Sequence, residues 1–280
     1  MKPPPLVYER AESVSDAVAI LAEMEWGARV IAGGQSLVPM LNLRLAPLIK
    51  LVDISRIEDL RAFSDDGGRV VYGACLRHGE FEDGAVPDCA NGMMQRVASR
   101  IAYRAIRNRG TIGGSVALAD PSADWITVLI ALGAIFTVAG PTGRREIHAD
   151  EMFLGPYTTA LGEHDILCSI SLPKLSAEGR TGFYKVIRKA GEYPMTTASV
   201  VRDPATGLNA VVLGAVNRPQ LRLRRSSAIL AASTRWSDDV GAALIDAYGE
   251  DLAAAGRDGD PYERKLCETT VLRAVQQALR

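Results

Sequence analysis

The chain has 280 residues, of which 48% are hydrophobic and 23% charged, and its formal net charge is −1. That length allows two or three domains around a sizeable core, and the composition excludes wholesale disorder. The near-neutral balance leaves no basic excess for a nucleic-acid backbone. Cys75, Cys89, Cys168 and Cys267 lie far apart, without a CxxC, so no metal site, redox dithiol or iron–sulfur cluster is expected on this chain.

Met1-Lys2-Pro3-Pro4-Pro5 lacks the apolar core of a signal peptide, which makes a cytoplasmic location the expectation. Ser13 and Asp16 read as a capping box with Asp in place of Glu. Val14, Ala17, Val18 and Leu21 then recur at helical spacing, with Gly27 as the expected cap. A short strand over 29–32 runs into Ala32-Gly33-Gly34-Gln35-Ser36. A short helix over 37–45 and a buried strand over 48–54 follow. Helix, strand, glycine loop and strand together predict a small α/β lobe over residues 1–55.

The second segment, 56–177, opens with a strand over 69–75 and a helix over 92–107 that ends in cations. A second glycine loop follows, Thr111-Ile112-Gly113-Gly114-Ser115. Ser122 is the expected cap of a helix carrying Trp125, Val128, Leu129 and Leu132. Strands are expected over 134–138, 144–148 and 165–172. The uncharged run 125–143 is broken by Gly133, Gly140 and Pro141, and reads as a buried helix and strand with no membrane insertion. A third domain, 178–280, is expected to hold strands over 183–188, 196–202 and 209–216, then two or three alanine-rich helices. Arg222, Arg224 and Arg225 read as a solvated basic face or a subunit contact.

Each glycine stretch couples two adjacent glycines to a small hydroxyl residue, which lets backbone amides approach an anion closely. Two of them could clamp the two phosphates of a dinucleotide. The sequence has no P-loop lysine pattern and no GxGxxG opening a helix. Asp124 is open to two readings, an acceptor for sugar hydroxyls or a helix N-terminal charge. Lys185, inside a predicted strand, is either a solvated charge or a group that faces a nucleotide site. His78, His148 and His164 form no metal-ligand spacing, and no GxSxG elbow marks a hydrolase.

Ala32-Gly33-Gly34-Gln35-Ser36 with 37–45 behind it, 106–115, and Asp120-Pro121-Ser122-Ala123-Asp124 together resemble the FAD-binding medium subunit of molybdenum hydroxylases. The likeness is nearest to the carbon monoxide dehydrogenase medium-subunit type in the wider xanthine dehydrogenase family, and it covers essentially the whole chain. It implies an α+β fold: a two-lobed FAD domain of the vanillyl-alcohol oxidase-like (PCMH) type, plus a C-terminal domain with a three-stranded antiparallel sheet and helices. It also implies that residues 32–36 and 111–115 hold the FAD pyrophosphate through amides and the hydroxyls of Ser36, Thr111 and Ser115. Asp124 would bind the ribityl chain, Leu167 would make an apolar contact, Lys185 would lie near the isoalloxazine edge, and Tyr193 would cover the ring. Gln35 stands where many relatives have histidine, and both can donate a hydrogen bond.

The resemblance further implies partners. A large subunit would hold the molybdenum cofactor and a small one two [2Fe–2S] clusters, in a dimer of heterotrimers without nucleic acid. A standalone flavin oxidoreductase and a non-catalytic nucleotide-binding assembly module are the alternatives. Turnover by the chain alone, or failure to bind flavin, would distinguish them.

Overall fold

The computed structural model describes residues 2–24, 26–215, 218–257 and 259–280. Its N-terminal part comprises β1 (Val7–Arg10), α1 (Val14–Ala22), β2 (Ala28–Ile31), α2 (Leu37–Asn42) and β3 (Lys50–Asp53). The sheet order is β1-β3-β2 and both pairings are parallel. Ser13 caps α1 by accepting from the Asp16 amide, while the Asp16 carboxylate accepts from the Glu12 amide. The helix stops before Gly27. That glycine, at φ +82, instead turns the chain into β2, and its carbonyl accepts from the Ile49 and Lys50 amides. α1 buries Val14, Ala17, Ile20 and Leu21 against Val52 and Ile54, and also against Ala139, Ile166 and Cys168 from further along the chain.

A 3-10 turn (Glu58–Leu60) leads to β4 (Phe63–Asp65), β5 (Arg69–Gly73), α3 (His78–Glu82), α4 (Met93–Ala98), α5 (Arg104–Arg107) and α6 (Ile112–Leu118). Then come α7 (Asp124–Ala131), β6 (Ile135–Gly140), β7 (Gly143–His148), α8 (Ala149–Met152), β8 (Phe153–Gly155), β9 (Thr158–Thr159) and β10 (Ile166–Pro173). Five strands form an antiparallel sheet ordered β4-β5-β10-β6-β7, and β8 and β9 form a separate hairpin. Every residue of α7 is buried, the polar Asp124 and Thr127 together with the apolar residues around them.

The expected helix over 92–107 is two helices, and Arg107 accounts for the break. Its Nη1 donates to the Ile101 and Ala102 carbonyls at 2.8 and 3.1 Å, while Nε and Nη2 grip Glu82. Carbonyls that a continuous helix would use are thus taken by a guanidinium, and Ala102 sits at φ +40. Ser122 does not cap α7 either. The cap position is Ala123, and the Ser122 amide donates to Asp120 in a local turn.

The C-terminal part comprises β11 (Arg180–Val186), β12 (Thr196–Asp203), β13 (Leu208–Gly214), β14 (Leu221–Arg222), α9 (Arg224–Ala232), α10 (Asp238–Ala254) and α11 (Pro261–Ala278). The sheet is antiparallel in chain order, so the three expected strands gain a two-residue fourth. The expected strand end at Val216 lies outside the described residues. Period-two alternation serves two cores at once. Val201, Ala210 and Val212 join the middle core around α7, whereas Ala198, Val200, Val211 and Leu213 join the cluster under α9, α10 and α11. Arg222 is no solvated charge: its Nη2 donates to the Ile130 carbonyl at 2.6 Å and ties β14 to α7.

Candidate functional site

Residues 32–36 connect β2 to α2. Gly34 takes φ +71, and the Gln35 side-chain amide donates to the Gly33 carbonyl at 3.0 Å, which fixes the turn. Among the described residues, the backbone amides of Gly33, Gly34, Gln35 and Ser36 have no protein acceptor. Ser36 holds the N-cap position of α2, yet its hydroxyl makes no capping bond. Consecutive free amides at a helix start form an anion-binding concavity.

Gly33 also joins the two glycine stretches. A Cβ there would lie 2.2 Å from the Arg109 carbonyl oxygen and 2.8 Å from the Gly110 Cα, so the two backbones touch only because neither carries a side chain at the contact.

The second stretch is a helix start rather than a loop. Thr111 is the N-cap of α6, and its hydroxyl accepts from the Gly114 amide at 3.1 Å. The amides of Ile112, Gly113 and Ser115 donate to the carbonyls of Leu76, Ala74 and Thr111. These amides are spent on anchoring the helix. What the stretch turns outward is the exposed Gly114 and the half-buried Ser115, while Ile112 and Gly113 are buried.

Asp124 and Lys185, far apart in sequence, meet. Lys185 Nζ donates to Asp124 Oδ2 at 2.6 Å and to the Arg100 carbonyl at 2.8 Å. The two side chains are only 5% and 2% exposed, so the solvated reading of Lys185 is wrong. Burial pushes the Asp124 carboxyl above the usual carboxylate range, against the pull of the Lys185 ammonium. Its other oxygen, Oδ1, is buried without a partner among the described residues, which marks a place for an incoming donor.

Contacts link this pair to the glycine junction. Trp125, next to Asp124, donates from Nε1 to His78 Nδ1 at 3.0 Å. The His78 amide donates to the Gly110 carbonyl, and the ring packs against the Gly110 Cα. Burial, then the Arg107 guanidinium, push the His78 pKa down to about 3. Sequence reasoning gave His78, Arg107 and Gly110 no role in the site. Arg107 and Gly110 were visible only as part of the 106–115 motif, and His78, far ahead of the second glycine stretch in the chain, had no local signal at all.

Leu167 is buried in β10 opposite Val138, beside a bulge, and packs in the middle core. Tyr193 lies on the connection between β11 and β12 with its side chain 68% exposed. Free amides at 33–36 fit a diphosphate, and a buried unpartnered carboxylate oxygen fits a hydroxyl-bearing chain. The donor set therefore suits FAD.

Fold and site together define a dinucleotide-binding α+β chain, and comparison with known proteins makes that definite. Residues 4–175 match the family described as the FAD binding domain in molybdopterin dehydrogenase. The carbon monoxide dehydrogenase medium chain of Hydrogenophaga pseudoflava is 34% identical over 226 residues, or 80% of this chain and 79% of that one. The 6-hydroxypseudooxynicotine dehydrogenase complex subunit alpha of Paenarthrobacter nicotinovorans is 32% identical over 285 residues, or 100% and 96%. Carbon monoxide dehydrogenase from Hydrogenophaga pseudoflava, solved without the Mo-pyranopterin moiety of its cofactor, superposes with a TM-score of 0.90 at 32% identity, over 99% of this chain and 98% of that one. The chain belongs to this FAD-binding family of the molybdopterin dehydrogenases and is a flavoprotein oxidoreductase subunit.

Proposed function

We propose that the chain is the electron-transfer subunit of a heterotrimeric molybdenum hydroxylase. It takes electrons from the [2Fe–2S] clusters of a small partner subunit and passes them to a terminal acceptor. A large partner subunit holds the molybdenum cofactor and oxidises the substrate, and the complex works in the cytoplasm as a dimer of heterotrimers. Support comes from relatives named as a medium chain and as a complex subunit. Among the described residues, no helix is long and apolar enough to cross a membrane. Residues 1–55 and 56–177 serve as the two lobes of the FAD domain, and 178–280 as the C-terminal domain.

Bound FAD exchanges electrons singly with iron–sulfur clusters and in pairs with many acceptors. The chain holds and tunes it. Amides of residues 33–36 donate to phosphate oxygens, with the hydroxyls of Ser36 and Ser115 beside them. Asp124 Oδ1 accepts from a ribityl hydroxyl. Lys185 opposes the upward push of burial on the Asp124 carboxyl and sets a positive charge near the ring edge. Leu167 lines the pocket, and Tyr193 lies over the ring.

The observation that carries this reading is the backbone contact of Gly33 with Arg109 and Gly110, which makes one cradle of two distant glycine stretches. Its test is a visible absorption spectrum of the purified chain, with identification of the chromophore that acid releases. Flavin bands and released FAD are expected. A folded, colourless chain that also refuses added FAD would overturn it.

A further inference from the structure

Residues 96–103, in α4 and the turn that follows it, run along β11. Arg96 Nη2 donates to the Thr181 hydroxyl at 2.8 Å. The Arg100 guanidinium lies 5.8 Å from the centre of the Phe183 ring. The Arg100 carbonyl accepts from Lys185 Nζ at 2.8 Å. Thr181, Phe183 and Lys185 stand at alternate positions of the strand, so all of these contacts line one face of β11. Past the strand, the Tyr103 ring lies against the backbone of Gly191, where a Cβ would meet it at 2.3 Å.

The turn that carries the Lys185 anchor is not held by its own backbone. Among the described residues, no backbone amide donates to the carbonyls of Arg100, Ile101 or Ala102. Ala102 takes φ +40, a left-handed backbone that persists in a non-glycine residue only where its surroundings over-determine it.

Arg107 supplies that restraint. Its Nη1 donates to the Ile101 and Ala102 carbonyls, and its Nε and Nη2 reach the two carboxylate oxygens of Glu82 at 2.7 and 2.8 Å. Glu82 thereby fixes the plane of the guanidinium, and Arg104 Nη1 donates to the same carboxylate at 2.8 Å. Hydrogen bonding from Arg107 holds the Glu82 carboxyl below its usual range, so it is ionised at neutral pH.

We propose that Arg107 and Glu82 are positioning residues for the flavin: the pair fixes the 100–102 turn, and the turn fixes Lys185 Nζ through the Arg100 carbonyl. The proposal rests on the reading of the chain as an FAD subunit with Lys185 beside the ring edge. The bond to Asp124 alone would let the ammonium swing about it, and the Arg100 carbonyl is the second fixed point.

The test is the midpoint potential of bound FAD at saturating FAD, with FAD affinity and Tm, in the full-length chain. A cation held at the ring favours the negatively charged reduced form, so a displaced Lys185 makes the potential more negative. Arg107→Lys keeps the charge but offers one nitrogen, which cannot grip Glu82 and both carbonyls together. It should weaken FAD binding about three- to tenfold. It should also shift the potential in the direction that Lys185→Met with Asp124→Asn does. Glu82→Gln keeps an acceptor and disturbs the fold less, and should act in the same direction to a smaller extent. In the chain already carrying Lys185→Met and Asp124→Asn, Arg107→Lys should leave the potential unmoved.

Variants that lower Tm yet keep the wild-type potential would make the clamp a matter of stability alone and overturn the proposal. An equal shift by Arg107→Lys with and without Lys185 would overturn it too. Both results leave the FAD reading standing. A wild-type chain that takes up no FAD overturns that reading and this inference with it.

Discussion

Gly113 and Gly114 are neighbours under opposite constraints. A Cβ on Gly113 would lie 2.5 Å from the Ala74 Cβ and 2.6 Å from the Ala74 carbonyl, whereas one on Gly114 would meet only the Thr111 hydroxyl, at 2.9 Å. Gly113→Ala is expected to cost about 1–3 kcal/mol through overpacking. Gly114→Val should cost the fold only about one cap bond, ~1 kcal/mol, yet abolish FAD retention. Thermal unfolding and FAD titration separate the two, and full FAD occupancy in a folded Gly114→Val would take α6 out of the site. His78 sets a pH dependence. Its unfolded imidazole protonates near pH 6.5, while the folded one stays neutral down to about 3. Unfolding takes up a proton between those limits, so the contribution is complete above pH 6.5 and declines below it by about 1.4 kcal/mol per pH unit. Denaturant midpoints between pH 7 and 5 should fall more steeply for the wild type than for His78→Gln.

At the scale of elements, the Lys185–Asp124 pair joins β11 to the start of α7. Lys185→Met leaves a carboxylate buried without its cation, an expected loss of about 3–5 kcal/mol. Adding Asp124→Asn should recover most of that stability without restoring FAD affinity. Equal recovery of both would make the pair purely structural. β11 and α11 meet as closely: a Cβ on Gly182 would lie 1.9 Å from the Ala274 carbonyl. Gly182→Ala should therefore lift the helix from the sheet at about 2–3 kcal/mol, read as a lower Tm. Long periodic elements were legible in the sequence, among them α1, α7, β12 and β13. The break at Arg107 was not, because it depends on Glu82, which lies 25 positions away, and on carbonyls that no periodicity describes. β1 carried no alternation to read, since its residues are mostly exposed.

Among the described residues the three larger sheets stand in series, beside the β8–β9 hairpin, with α1 between the first two and α7 between the second and third. A ligand held by residues from all three parts should stabilise them together. Saturation with FAD at about a hundred times its Kd is expected to add about 2.7 kcal/mol to unfolding, seen as a higher, concentration-dependent Tm. An unchanged Tm at saturation would mean that the ligand binds native and unfolded chain alike, against a preformed site.

The sequence by itself determined the two glycine stretches, the α+β character and the resemblance that names FAD. Each of these is local, set by residue type and short spacing. Tertiary structure alone decided that Gly33 closes on Arg109 and that Lys185 is a buried partner of Asp124. It also decided that the free amides belong to 33–36, since those of α6 are spent on Leu76 and Ala74. Whether an amide is free, or a lysine solvated, depends on what packs against it, and that partner comes from elsewhere in the chain.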